Sequence, residues 1–136
     1  MTPTKDNIKI QGYSPFPSVT PDTENVFAKI INGQLSAKKV YEDDKILAFH
    51  DIHPESPTHI LVLPKGEYID FSDFITKASS DEVKNYFNKI VDIIKELGLE
   101  ENGYRLITNK GSQSGQSVFH FHMHILSGRQ LNGLIG

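Results

Sequence analysis

Near its C-terminal end the chain reads His120-Phe121-His122-Met123-His124-Ile125-Leu126, so that three histidines alternate with apolar residues. Alternate side chains of a β-strand share one face, and the run therefore predicts a strand over residues 118–126 with the imidazoles on one side, roughly 6.6 Å apart. Burying an imidazole is unfavourable unless it is hydrogen-bonded, and Val or Thr would suit a purely structural strand better. We expect this row of histidines to carry chemistry.

Two chemistries are compatible with the row. Two histidines two residues apart on a strand can share a metal ion, and His50, His53 or His59 could supply a third ligand for a metal-dependent hydrolase. His120 and His124, however, would lie roughly 13 Å apart along a straight strand, too far to bind one ion. The alternative is a metal-free site, in which a neutral imidazole acts as nucleophile or as acid and base once a neighbouring group fixes its tautomer.

The loop before the row favours the metal-free alternative. Residues 111–117 read Gly-Ser-Gln-Ser-Gly-Gln-Ser. A loop of this composition can present backbone N–H groups and hydroxyls to an anion such as phosphate, although alone it is more typical of a hairpin connection. Because this loop runs directly into the three histidines, we predict a phosphate-bearing ligand.

Hydrophobic periodicity along the rest of the chain predicts an α+β domain. A short helix is expected from Glu24 to the stop signal Asn32-Gly33, and a long helix is expected between the cap Ser79 and Gly98. Short apolar runs predict strands at residues 39–41, 46–49, 59–63, 104–108 and 118–126. Two helices cannot cover both faces of a parallel sheet, so a five-stranded, mainly antiparallel sheet is predicted.

Composition excludes several classes of protein. The 136 residues are 38% hydrophobic, which suits one compact domain, and the absence of Cys excludes disulfides, thiolate zinc sites and a cysteine nucleophile. A net charge of −3 leaves no excess of basic residues for extended nucleic acid. Neither a signal peptide nor a membrane-spanning run is visible, so we expect a cytoplasmic protein without a membrane partner. Residues 1–22 contain four prolines and are predicted to form a flexible arm, with the domain at residues 23–136.

The alternation of histidines with apolar residues at positions 120–126 resembles the signature of the histidine-triad (HIT) superfamily at every position. The surrounding sequence is similar to its nucleotide-binding branch, Hint, at Ala48-Phe49-His50-Asp51-Ile52, Pro57-Thr58-His59, Asn109-Lys110-Gly111, Gly115-Gln116-Ser117-Val118 and Gly128-Arg129-Gln130. The resemblance covers residues 23–130. It implies a purine nucleoside phosphoramidase or related phosphoryl-bond hydrolase, which forms a homodimer with a continuous sheet and needs no catalytic metal or other cofactor.

The resemblance also implies roles for individual residues of the reaction centre. His122 would attack phosphorus, and the backbone carbonyl of His120 would accept the Nδ1 proton of His122, leaving Nε2 as the attacking atom. His124 and His59 would stabilise the phosphate. Ser117 would lie near the leaving group and could relay a proton.

The remaining implied roles concern nucleotide binding. Asn109 and the backbone of Gly115, Gln116 and Ser117 would hold phosphoryl oxygens. Asp51, directly after His50, would accept hydrogen bonds from the ribose hydroxyls. A flat purine would lie between apolar residues, namely Phe27, Phe49 and Ile52. Phe27 and Phe49 are equally compatible with an ordinary core, and Asp51 with a turn.

The sequence departs from the Hint pattern after residue 130. Many members continue with an aromatic residue and prolines that cap the partner's site, whereas this chain ends Leu131-Asn132-Gly133-Leu134-Ile135-Gly136. Two other functions stay open at this point. One is dinucleoside polyphosphate hydrolysis, although those enzymes often lack a serine at the position of Ser117. The other is regulatory AMP binding with little turnover.

Overall fold

The computed structural model describes residues 25–133, which form three α-helices and five strands. In chain order they are α1 (Val26–Ile31), β1 (Lys39–Glu42), β2 (Ile46–His50), β3 (Thr58–Pro64), α2 (Phe71–Lys77), α3 (Ser80–Glu96), β4 (Arg105–Ile107), a single 3-10 turn (Ser112–Ser114) and β5 (Met123–Ser127). The predicted arm at residues 1–22 lies outside the described residues.

The five strands form one sheet in the order β1-β2-β3-β5-β4. Every neighbouring pair is antiparallel, so the predicted α+β fold with a five-stranded antiparallel sheet is confirmed. The first three strands form a meander. β5 lies between β3 and β4, which places the C-terminal half of the histidine row on an inner strand of the sheet.

The two faces of the sheet bury different sets of residues. One face packs under α2 and α3, and its core contains Ile46, Ala48, Ile60, Val62, Ile125, Phe74, Tyr86, Ile90 and Ile94. The other face packs against α1 through Phe27, Ile30, Leu47, Phe49, Leu61 and Leu63. His124 pairs with Leu61 across the sheet, and His59 pairs with Leu126. Both histidines therefore lie on the α1 face.

The long helix α3 begins and ends where the sequence predicts. The Ser79 side chain accepts a hydrogen bond from the Glu82 backbone N–H, which caps the first turn. Gly98 follows the helix with a φ of 71°, a left-handed conformation that ends a helix without strain in glycine. The helix has 17 residues, and no helix within residues 25–133 is long and apolar enough to cross a membrane.

The prediction of only two helices was wrong, because α2 is a third. It begins at the cap Asp70, whose side chain accepts from the Asp73 backbone N–H. The helix has seven residues, and Phe74 is the one it buries. Such a short element shows no hydrophobic periodicity, so it is recognisable only from its packing on the sheet.

The prediction that the last strand begins at residue 118 was also wrong, because β5 begins at Met123. In the segment before β5 the backbone makes hydrogen bonds outside the strand pairing. The Phe121 N–H donates to the Tyr68 carbonyl over 2.6 Å. The Thr108 hydroxyl donates to the His122 carbonyl over 3.0 Å. Only His124 of the three histidines belongs to the strand, and His120 and His122 lie in the extended segment that leads into it.

Candidate active site

His122 lies at the centre of the site, and its tautomer is fixed by its own main chain. The ring Nδ1 lies 2.8 Å from the backbone carbonyl of His120. A carbonyl can only accept a hydrogen bond, so Nδ1 carries the proton and Nε2 has a free lone pair. Burial lowers the pKa of His122 below its ordinary value, and the ring is therefore neutral at pH 7. A neutral ring with a free Nε2 is competent as a nucleophile.

The His120 ring has a different partner. Its Nε2 donates to the Pro64 carbonyl over 2.7 Å, which ties the segment before β5 to the end of β3. The ring is buried, and burial lowers its pKa. His120 thus presents its backbone carbonyl to His122 and uses its ring as an anchor.

His59 and His124 approach each other from β3 and β5. His59 Nε2 lies 2.9 Å from His124 Nδ1 and 3.4 Å from an Asp51 carboxylate oxygen. The Glu55 backbone N–H donates to His59 Nδ1 over 3.0 Å. Because His59 Nδ1 accepts, its proton must sit on Nε2, and a neutral His124 then has its own proton on Nε2.

Burial keeps this histidine cluster neutral. It lowers the pKa of His124 to about 4, and the neighbouring His122 and His59 rings add to the effect by repelling a positive charge. Burial also lowers the pKa of His59, against the attraction of Asp51 and Glu55. The rings of His122 and His124 are 5.0 Å apart. At pH 7 the site contains neutral imidazoles with defined donors and acceptors.

An apolar wall borders His122. The edge of the Phe27 ring lies against His122 with 4.8 Å between ring centroids, and Phe27 also contacts Phe49 at 5.7 Å. Both phenylalanines are buried in the core between α1 and the sheet. Ile52 follows Asp51 in the chain and is 84% exposed. The structure thus places Phe27 against His122, Phe49 against Phe27 and Ile52 at the surface.

The Gly/Ser/Gln loop is held by the Gln116 side chain, which accepts from the Gly111 N–H over 2.7 Å and donates to the Ile69 carbonyl over 2.8 Å. The Asn109 amide donates to the Ser114 carbonyl, also over 2.7 Å. Gln116 is buried, whereas Gly115 and Ser117 are exposed. These contacts fix the loop backbone and leave Ser117 accessible.

The remaining polar residues near the site lie after β2. His50 is the last residue of β2, and its backbone N–H donates to the Lys38 carbonyl. Asp51 follows, and its second carboxylate oxygen accepts from the His53 N–H over 2.8 Å. This turn presents the Asp51 carboxylate to His59.

Within residues 25–133, one group of side chains could hold a metal ion. Asp51, His59 and His124 each offer a ligand atom, and these atoms lie within 4.8 Å of one another. Imidazole nitrogen and carboxylate oxygen are suitable ligands for zinc. The group differs from the pair of alternate histidines that the sequence suggested, because two of its members come from β3 and the loop before it.

Sequence reasoning missed three contributors to the site. They are the Glu55 backbone N–H, the Pro64 carbonyl and the Thr108 hydroxyl. Two of these are main-chain groups, a carbonyl that any residue type could supply and an N–H that any type except proline could supply, so the sequence carries no signal for them. Thr108 directly follows the edge strand β4, and a threonine at this position gives no reason to predict a role in the site.

The profile described as HIT domain matches residues 32–131, which include the whole histidine row. The chain belongs to the HIT family. An uncharacterized HIT-like protein of Rickettsia prowazekii is 62% identical over 112 residues, covering 82% of this chain and 93% of the relative. A protein of Zea mays named 14 kDa zinc-binding protein is 42% identical over 114 residues, covering 82% of this chain and 87% of the relative.

Solved structures agree with the HIT assignment. A HIT family hydrolase from Legionella pneumophila superposes with a TM-score of 0.76 at 40% identity, covering 82% of this HIT chain and 98% of the other. A histidine triad nucleotide-binding protein from Candida albicans superposes with a TM-score of 0.66 at 29% identity, covering 74% of this chain and 71% of the other.

Proposed function

We propose that this HIT protein is a purine nucleoside phosphoramidase of the Hint branch. It would cleave a bond to the phosphorus of a nucleoside monophosphate derivative through a covalent nucleotidyl-His122 intermediate. The observation that carries the proposal is the 2.8 Å contact between His122 Nδ1 and the His120 carbonyl, which leaves Nε2 unprotonated in a neutral ring. The Legionella structure named a hydrolase and the Candida structure named a nucleotide-binding protein support the same class.

The reaction would proceed in two displacements at phosphorus. His122 Nε2 forms a bond to phosphorus while the bond from phosphorus to the leaving amine breaks, and the amine departs with a proton relayed by Ser117. Water then attacks the nucleotidyl-histidine, the nitrogen–phosphorus bond breaks, and the nucleoside monophosphate is released. His124 Nε2–H would stabilise the charge on the phosphoryl oxygens, and His59 would support it through its hydrogen bond to His124 Nδ1. No metal or other cofactor takes part in either step.

The nucleotide would lie along the α1 face of the sheet. Asp51 would accept hydrogen bonds from the ribose diol, as a carboxylate next to a histidine cluster is able to do. Phe27, Phe49 and Ile52 would contact the purine, and His50 would support the turn that carries Asp51. The phosphate would meet Asn109 and the backbone N–H groups of Gly115, Gln116 and Ser117.

The covalent step is tested by intact-protein mass after rapid mixing with an adenosine 5′-phosphoramidate. The reaction is stopped in alkaline denaturant, because a nitrogen–phosphorus bond is labile in acid. We expect a nucleotidyl adduct on the wild type and on the control His53→Ala, which alters an exposed histidine outside the cluster. His122→Ala should bind AMP, form no adduct and lose several orders of magnitude in turnover. An adduct retained in His122→Ala contradicts the mechanism.

Two other functions give different results in steady-state assays. A dinucleoside polyphosphate hydrolase would prefer diadenosine polyphosphates over phosphoramidates, and the exposed Ser117 argues for the phosphoramidase. A regulatory AMP-binding protein would bind the nucleotide with little turnover of either substrate. The ratio of kcat/KM for the two substrates distinguishes these three cases.

We also propose a cytoplasmic homodimer. β4 is an edge strand of the sheet, with unpaired backbone groups on its outer side. Tyr104 beside it, Val91 on α3 and Leu97 directly after α3 are large apolar residues that are about 40% exposed. Pairing β4 with its copy in a second subunit would continue the sheet and cover an edge that a small domain otherwise leaves open.

A further inference from the structure

Arg129 holds the loop before β3 from outside the histidine cluster. Its Nη2 donates to the Glu55 carbonyl over 2.8 Å, and its Nη1 donates to the Gln130 carbonyl over 2.9 Å. The backbone N–H of the same Glu55 donates to His59 Nδ1 over 3.0 Å. The Glu55 carbonyl is therefore held by Arg129, and the N–H of the same residue binds His59.

The turn after β5 passes close to the loop before β3. Gly128 has a φ of 103°, and a Cβ atom at this position would lie 2.8 Å from the Pro57 Cβ. Only glycine allows the turn after β5 to pass so close to the loop. The Ser56 hydroxyl donates to the Thr58 carbonyl over 2.5 Å and stiffens the same loop. Arg129 is thus placed next to Glu55 by close packing of two backbone segments.

The Glu55 N–H decides which nitrogen of His59 carries the proton. With Nδ1 accepting, His59 is an Nε2–H donor toward His124 Nδ1, 2.9 Å away, and His124 keeps its proton on Nε2. If the Glu55 N–H moved away, His59 could take the Nδ1–H tautomer, and its Nε2 would then accept a hydrogen bond from His124 Nδ1–H. His124 Nε2 would then carry a lone pair, which repels an anionic phosphate.

We propose that Arg129 is a positioning residue that, through Glu55, locks the tautomers of His59 and His124 so that His124 presents an N–H to the phosphate. The expected effect on catalysis rests on the proposed phosphoramidase function. The effect of Arg129 on the tautomers of His59 and His124, which we call the tautomer lock, does not. Asp51 completes the lock, because its carboxylate lies 3.4 Å from His59 Nε2 and favours a proton on that nitrogen.

The lock is tested without substrate by long-range ¹H–¹⁵N NMR of the imidazole rings, which distinguishes Nδ1–H from Nε2–H. In the wild type both His59 and His124 should be Nε2–H. Arg129→Ala should shift both rings toward the other tautomer, and Arg129→Lys, which retains a donor, should restore the wild-type pattern. The matched control is Arg105→Ala, because Arg105 also donates to a backbone carbonyl, but to that of Asn132 and not to that of Glu55. It should leave both tautomers unchanged.

Kinetics with an adenosine phosphoramidate tests the consequence. Arg129→Ala should lower kcat about 10-fold, with KM changed less than about 2-fold and substantial rescue by Arg129→Lys. A wild-type His59 found as Nδ1–H, or tautomers unchanged in Arg129→Ala, overturns the lock even if kcat falls. If the tautomers shift as expected but the wild type turns over no phosphoramidate, the lock is supported and the proposed function is refuted.

Discussion

Replacing His124 with glutamine should make the fold less sensitive to acid. The folded protein lowers the pKa of His124 from 6.5 to about 4, chiefly by burial. Above pH 6.5 the ring is neutral in both states and contributes no pH dependence. Below pH 6.5 the unfolded chain binds a proton that the folded protein does not, so the free energy of unfolding falls as the pH falls toward 4.

The size of this effect follows from the two pKa values. A pH of 5 is about 1.5 units below the ordinary pKa of the His124 ring. Each unit corresponds to about 1.4 kcal/mol in the free energy of unfolding, which gives an upper limit of about 2 kcal/mol. His124 is partly exposed, and water screens part of the difference. We expect His124 to account for about 1 to 2 kcal/mol of the stability lost between pH 7 and pH 5.

Urea unfolding at pH 7 and pH 5 measures the difference. Wild type should lose about 1 to 2 kcal/mol more than His124→Gln between the two conditions, at an unchanged dependence on urea. His53→Gln is the control, because His53 is exposed, and it should lose as much as the wild type. Burial also lowers the pKa of His59, His120 and His122, but these rings are present in all three proteins. Equal losses in the wild type and His124→Gln would refute the reasoning.

Four further predictions concern the ligand, the metal, the core and the assembly. Asp51→Ala should weaken ribonucleotide binding by about 1.5 to 3 kcal/mol but 2′,3′-dideoxynucleotide binding much less, as measured by calorimetry; equal losses would disprove the ribose contact. Turnover should survive EDTA, and a loss that zinc restores would favour a metal site at Asp51, His59 and His124. Tyr86→Phe should cost about 1 kcal/mol in denaturant unfolding, because it removes the 2.8 Å bond from the buried hydroxyl to the Val62 carbonyl. Light scattering at micromolar concentration should report a dimer, and a monomer would count against pairing through β4.

Local sequence patterns predicted most of the fold because its long elements have strong periodicity. The capped stripe of α3 and the apolar runs of the first four strands appear in the structure within one or two residues of their predicted bounds. The short helix α2 was missed, since seven residues with one buried side chain leave no period to detect. The start of β5 was placed too early because the Phe121 backbone N–H bonds to the carbonyl of Tyr68, which lies outside the strands.

The candidate site likewise has features that the sequence predicted and features that only the tertiary structure decided. Alternation of histidine with apolar residues was enough to single out residues 120–124 and to exclude one ion shared by His120 and His124. The approach of His59 to His124, 65 positions apart in the chain, was decided by strand register, which pairs Leu61 with His124. The protonation pattern depends on carbonyls and on one N–H, those of His120, Pro64 and Glu55. Every residue type has the carbonyl and every type except proline has the N–H, so only the tertiary structure, by placing these groups within hydrogen-bonding distance, decided which nitrogen of each ring holds its proton.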